Sequence, residues 1–406
     1  MDIDSFIAPH VRQMKAYTPI MPFEVLSQRL GIPVEQIVKL DANENLYGPS
    51  PRAIQAIATA HQLHIYPDPD QAELRSAISD YIGVPKAHIL CGAGADEIIQ
   101  LIGMAFLQHG DVMLDLPPTF GMYRWLADIT GAHYVAVPRR ADFSIDVEAV
   151  ESRVTSHESN VKQPALSLPK GQTSISNLQS PIANLQSPIP NSPKLIFVTN
   201  PNNPDGSTVD DATLKSILAL PLIVVLDEAY IDFSDQPSRA SWVQAYPNLI
   251  ILRTFSKLLG MAGMRIGYGI FPLGMIEHLW KLKQPYTPTV ASSIGAVAAL
   301  GDRVYLQDNV QRIVAERARM GALLSDLGWL HVYPSQTNFL LCRVSVTMET
   351  SDQSPGQMVK SYLEQHGILV RYFDKDGLRD CFRVSVGRPE HTDRLVQALK
   401  RFNLGN

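Results

Sequence analysis

The chain has 406 residues and a formal net charge of −5 from 35 basic and 40 acidic side chains, and only 18% of its residues are charged. It has no long basic run to mark a nucleic-acid footprint, no apolar stretch near the roughly 18 residues of a membrane span, and an acidic start, Met1-Asp2-Ile3-Asp4, unlike a signal peptide. Cys91, Cys342 and Cys381 are odd in number and lack a CxxC pair, which points away from disulfides and zinc and towards a reducing cytoplasm.

In chain order, helical patterns at 73–82 and 95–107 precede a short, almost continuous apolar run at 111–116, and a further helical pattern covers 121–130. From about 155 to 193 the residues are mainly Ser, Pro, Asn, Gln and small apolars. Here Asn177-Leu178-Gln179-Ser180-Pro181-Ile182 returns as Asn184-Leu185-Gln186-Ser187-Pro188-Ile189. Proline at this density forbids regular helix or a central strand, so the segment reads as a disordered insertion. Apolar runs resume at 195–199, 222–226 and 249–252, with a helical pattern at 213–219 between the first two. Runs without polar alternation suit strands buried on both faces, and their alternation with helices predicts an α/β fold around a mostly parallel sheet. After about residue 285 the rhythm changes. One long helical segment at 289–327 is followed by short strands at 338–343, 368–371 and 382–385, which predicts a second, smaller α+β domain.

The chemistry-bearing residues cluster just after the predicted strands. Ser256-Lys257 follows the run at 249–252, with Arg265 eight residues on and glycines between. A lysine at a strand end is often surface charge, but a neutral lysine amine also forms Schiff bases with carbonyls, which is how pyridoxal phosphate is held. A neighbouring hydroxyl and a guanidinium suit a phosphate. In Val225-Leu226-Asp227-Glu228-Ala229-Tyr230, Asp227 either caps the next helix or stays ionised under a protonated pyridine nitrogen, with Tyr230 directed at the ring's phenolic oxygen. Asn200-Pro201-Asn202-Asn203-Pro204-Asp205-Gly206 is by itself a turn signal; within the set, Asn203 donates a hydrogen bond to the same oxygen. Cys91-Gly92-Ala93-Gly94-Ala95-Asp96-Glu97 opens an apolar helix whose free N–H groups can bind an anion. Phe120 in Pro117-Pro118-Thr119-Phe120-Gly121-Met122-Tyr123 offers a ring to stack on a planar cofactor, or makes a hydrophobic contact.

Together these pieces, in this order, resemble the fold type I pyridoxal-phosphate aminotransferases. Leu40-Asp41-Ala42-Asn43-Glu44-Asn45, Tyr66-Pro67-Asp68, Gly94-Ala95-Asp96-Glu97, Arg253-Thr254-Phe255-Ser256-Lys257 and Phe382-Arg383-Val384-Ser385-Val386-Gly387 closely resemble the histidinol-phosphate aminotransferases. The likeness runs from about Tyr17 to the C-terminus and breaks only across the insertion. It implies a large domain at 41–285 with a seven-stranded sheet, a small C-terminal domain at 286–406, and an arm at 1–40 serving the small domain and a homodimer. Lys257 is then the Schiff-base lysine and the base that moves the substrate proton. Asp227 pairs with the pyridine nitrogen, Asn203 and Tyr230 bind the phenolic oxygen, and Phe120 stacks on the ring. Ser256, Arg265 and the helix start at Ala95 and Asp96 hold the phosphate, and Tyr66 reaches that phosphate from a second subunit. Arg371 and Arg383 match the family's anion-binding arginines, with a surface salt bridge as the plainer role, while Tyr17 and Asn43 match N-terminal pocket residues.

Two departures stand out: Phe120 where tyrosine is frequent, and Asp205 where threonine is frequent. The implied reaction joins histidinol phosphate and 2-oxoglutarate to imidazole-acetol phosphate and glutamate, in histidine biosynthesis. An aromatic or broad-specificity aminotransferase and a threonine-phosphate decarboxylase-like enzyme remain open alternatives. A regulator carrying such a domain needs a DNA-binding module, which the roughly 40 residues before Asp41 cannot hold.

Overall fold

The computed structural model describes residues 3–14, 22–155, 192–345 and 353–402. Tyr17 and all but the ends of the expected insertion lie outside the described residues. A two-residue strand β1 (Val38–Lys39) comes first. The main sheet follows with β2 (Ile89–Gly92), β3 (Val112–Asp115), β4 (His133–Ala136), β5 (Pro193–Thr199), β6 (Ile223–Asp227), β7 (Leu249–Thr254) and β8 (Gly267–Ile270). These seven lie in the order β2-β8-β7-β6-β5-β3-β4. All adjacent pairs are parallel except those of β8, which runs antiparallel to both β2 and β7.

The apolar runs become central strands because both faces of the sheet are covered. Side chains alternate between faces along a strand. Thus Ile196 and Val198 of β5, Val224 and Leu226 of β6, and Leu249 and Ile251 of β7 enter one core. Leu195, Phe197, Val225, Ile250 and Leu252 enter the other, against Ile98 and Ile102 of helix Ala95–Phe106 and Leu126 of helix Met122–Thr130. The first core is closed by Leu74 and Ile78 of helix Ala72–Ile82, Leu214 and Ile217 of helix Asp211–Leu218, and Ala296 and Ala299 of helix Val290–Gly301.

Beyond the sheet, the expected single helix at 289–327 is two helices, Val290–Gly301 and Arg303–Ser325. The chain leaves helical geometry at Asp302, φ −94 and ψ 60. The break falls at Gly301-Asp302-Arg303, a glycine and two charged residues between two helical patterns. The first helix packs on Pro51–Ala58 and Ala72–Ile82, with the sheet-bearing unit. The C-terminal unit is a four-stranded antiparallel sheet of β9 (Leu330–Val332), β10 (Phe339–Val344), β12 (Arg371–Tyr372) and β13 (Cys381–Ser385), in the order β12-β13-β10-β9. The expected strand at 368–371 is likewise divided. Its first half, β11 (Ile368–Leu369), pairs in parallel with β1 in a separate two-stranded sheet, so the N-terminal segment is tied to this unit.

Candidate active site

In an open parallel sheet the loops leaving the carboxyl ends of the strands converge on one crevice. Here β5 delivers the turn from Asn200 to Gly206, β6 ends on Asp227, and β7 runs into Ser256 and Lys257. These loops enclose a cleft of about 630 Å³ lined by Ala95, Asp96, Phe120, Asn203, Asp227, Tyr230, Ser256, Lys257 and Arg265. A second cavity of about 780 Å³ shares Phe120, Asn203, Tyr230 and Lys257 with it and adds Asn43, Arg371 and Arg383. Lys257 therefore stands where the two meet. Tyr66 does not reach either cavity of its own chain: its ring is 76% exposed and stacks on Tyr286 with centroids 4.3 Å apart.

Asp227 is buried, and loss of solvent pushes its pKa up; hydrogen bonds and the charge of Lys257 oppose this. Its Oδ2 accepts from the Tyr123 hydroxyl at 2.7 Å and its Oδ1 from the Ala229 N–H at 2.9 Å. Only a 3₁₀ turn, Ile231–Phe233, follows, so Asp227 caps no α-helix. No cation lies within ion-pair distance of this carboxylate among the described residues. A buried acid at a cavity floor without its own counter-ion suits a ligand that brings a cationic N–H. Tyr123, which orients it, is a residue the sequence reading passes over. Its place in an apolar helix, stacked on Phe197 at 4.2 Å, makes it read as core.

Opposite lie the polar groups expected at the phenolic oxygen. Asn43 Nδ2 donates to the Tyr230 hydroxyl oxygen at 3.0 Å. Asn43 holds φ +55, with its N–H on Ser385 Oγ at 2.8 Å and its carbonyl accepting from Asn338 Nδ2 at 3.0 Å. Asn203 Oδ1 accepts from Arg383 Nη1 at 2.5 Å. Arginine can only donate, so the Asn203 oxygen faces Arg383 and its amide N–H₂ is left for the other side. The turn is braced by Asp205, which accepts from Asn202 Nδ2 and, at 2.9 Å, from the Ser207 N–H. Asp205, the departure noted in the sequence, thus supports the Asn203 turn.

A phosphate would find its donors at the far end of the cleft. The first N–H groups of helix Ala95–Phe106 have no intrahelical acceptor. Thr254 Oγ1 donates to Ser256 Oγ at 3.0 Å, which leaves the serine proton to be given elsewhere. Arg265 Nη2 lies 2.8 Å from Asp96 Oδ2. Gly94 has φ +84, and a Cβ there would sit 2.6 Å from Arg265 Nη2, so glycine is required. Beneath, Glu97 Oε2 accepts the Ala93 N–H at 2.5 Å, and Glu97 Oε1 takes the Thr287 hydroxyl at 2.9 Å and faces Lys283 Nζ at 3.3 Å. This partly buried brace also escapes the sequence reading, because its members are far apart in the chain. A lysine amine at the junction, a buried acid, amide and hydroxyl donors, and a helix start beside Ser256 and Arg265 together fit pyridoxal phosphate.

A sequence profile described as "Aminotransferase class I and II" matches residues 35–399. The chain belongs to this family. This aminotransferase is 45% identical over 399 residues to the chloroplastic histidinol-phosphate aminotransferase of Nicotiana tabacum, covering 98% of this chain and 87% of the relative. It is 44% identical over 403 residues to the histidinol-phosphate aminotransferase of Roseiflexus castenholzii, covering 98% of each. Among solved structures it is similar to histidinol-phosphate aminotransferase from Sinorhizobium meliloti in complex with pyridoxal-5'-phosphate, with TM-score 0.80, 26% identity, and 98% and 97% of the two chains covered. The fold is that of the fold type I aminotransferases, as the sequence predicts.

Proposed function

We propose that this aminotransferase carries the amino group of L-histidinol phosphate to 2-oxoglutarate, giving imidazole-acetol phosphate and L-glutamate, with pyridoxal phosphate as cofactor. The observation that carries this reading is the cationic cavity joined to Lys257, in which Arg371 and Arg383 serve donors and acceptors with anionic ends. The full-length likeness to histidinol-phosphate aminotransferases supports it.

When bound, the cofactor supplies a carbonyl for the amine and an electron-withdrawing ring. Lys257 supplies the amine that holds the cofactor; set free, it takes the proton from the substrate's Cα and returns it during the exchange. Its Nζ lies 3.3 Å from the Ala42 carbonyl and 5.6 Å from the centre of the Tyr230 ring, at the junction of the two cavities. Asp227, held by Tyr123, keeps a proton on the ring nitrogen. The Asn203 amide and the Tyr230 hydroxyl, fixed by Arg383 and Asn43, meet the phenolic oxygen. Phe120 covers the ring and excludes water. Arg383 is buried, its Nη2 donates to the Asp41 carbonyl at 2.8 Å, and loss of solvent lowers its pKa to about 10. At neutral pH it remains charged and receives an anion.

Growth without histidine of a bacterial strain lacking histidinol-phosphate aminotransferase tests the proposal. The wild-type chain is expected to restore growth and Lys257→Ala to fail. Soluble, cofactor-loaded wild-type protein that gives no rescue would refute it. A homodimer is part of the same proposal, supported by the exposed Leu63, Ile65, Tyr66 and Tyr286, an apolar patch a monomer leaves in water. Sedimentation is expected to give twice the chain mass; a fully active monomer contradicts the dimer.

A further inference from the structure

We propose that Lys375 is a specificity-determining residue, its ammonium group engaging the phosphomonoester end of the amino donor at the substrate cavity. This deepens the histidinol-phosphate reading above and rests on it. Besides Lys257, three cationic side chains line that cavity: Arg371, Lys375 and Arg383.

Arg383 gives two of its five N–H groups to holding the site together. Nη1 is given to Asn203 and Nη2 to Asp41, and only Nε is buried without a partner among the described residues. Arg371 stands directly opposite Arg383 across the β12–β13 pair. The unpartnered Nε–H, the second protons of Nη1 and Nη2, and the neighbouring guanidinium match a carboxylate. A phosphomonoester presents three terminal oxygens and a charge of about −1.5 to −2 at neutral pH, and calls for a further cation.

Lys375 is the group placed to supply it. It lies in the turn after β12, beside Phe373, whose ring is 5.6 Å from the Arg383 guanidinium carbon. Its sequence neighbours Asp374 and Asp376 are acidic, but both are paired with Arg379, at 3.0 and 3.7 Å. No carboxylate lies within ion-pair distance of Lys375 among the described residues. Asp115 feels its charge, yet both Asp115 oxygens are occupied, by the Leu116 N–H at 2.9 Å and the Tyr134 hydroxyl at 2.7 Å. The exposed lysine thus has no direct carboxylate partner among the described residues at the cavity that receives the substrate.

The test compares wild-type, Lys375→Met and Lys375→Arg holoenzymes with histidinol phosphate, its phosphate-free counterpart histidinol, and glutamate. Lys375→Met is expected to raise KM for histidinol phosphate about tenfold, the scale of a charge-assisted hydrogen bond, with kcat little changed. Histidinol and glutamate are expected to stay near wild type, and Lys375→Arg to recover most of the loss. The wild-type advantage should also grow as pH rises through about 6, where a phosphomonoester loses its second proton. An unchanged KM for histidinol phosphate, or an equal loss with all three substrates, would overturn the inference. A wild-type enzyme that does not prefer histidinol phosphate to histidinol overturns the functional reading itself.

Discussion

At the scale of single residues, what fixes the chemistry is which buried group has a partner and which awaits one. Asp227 depends on Tyr123. Phenylalanine fills the same volume, so Tyr123→Phe removes only the hydroxyl that donates to Oδ2. The acid then ionises less readily and holds the ring nitrogen more weakly. We expect cofactor affinity to fall about tenfold, the worth of one hydrogen bond to a charged group. Absorbance titration of the apoenzyme measures this, and an unchanged dissociation constant would show that Tyr123 is only packing. Asp115 makes a separate test. Burial raises its pKa from 3.8 to about 6. A carboxyl that holds its proton more tightly in the folded chain adds stability at low pH and loses it as pH rises through that window. Asp115→Asn keeps the acceptor for Leu116, and the Tyr134 hydroxyl can turn to accept. The variant's stability relative to wild type is therefore expected to climb between about pH 4 and pH 6 and then level off. A difference independent of pH contradicts this assignment. Lys257, Asp227 and Asn203 stand out in the sequence by residue type just after predicted strands, and Arg383 by the family resemblance; the structure places all four at the two cavities. Tyr123, Glu97 and Lys375 do not stand out, since an aromatic in a helix, an acid in a first turn and a lysine in a surface turn have plainer explanations until distances are known.

Among the elements, legibility follows the length of the uninterrupted apolar run. β3, β5, β6 and β7 are interior strands, and their apolar runs announce them. β4 is an edge strand with no buried residue, so no such run marks it. β8 reads Gly-Tyr-Gly-Ile, where glycine masks strand propensity. The reason for glycine is the site: a Cβ on Gly267 would lie 2.4 Å from the Ala95 backbone nitrogen. Gly267→Ala must therefore push away the helix start that faces the phosphate. The expected result is a clear loss of cofactor affinity with the fold retained by circular dichroism. Full retention of cofactor would mean that this helix start does not hold the phosphate.

For the molecule as a whole, the low charge of the sequence finds two counterparts. One is a sheet with apolar cores on both faces, reached by the helices that cover it. The other is the segment from 155 to 193, whose charged residues are only Glu158, Lys162 and Lys170. The residues lining the two cavities come from other parts of the chain, so replacing 157–190 by a short flexible linker is expected to leave turnover and thermal stability near wild type. A large loss of either would assign that segment a structural part. Which amino donor the enzyme prefers decides the proposed activity. With 2-oxoglutarate as acceptor, kcat/KM is measured for histidinol phosphate and for phenylalanine on the same holoenzyme preparation. Histidinol phosphate is expected to be much the better donor; a higher kcat/KM for phenylalanine would rule the proposed activity out.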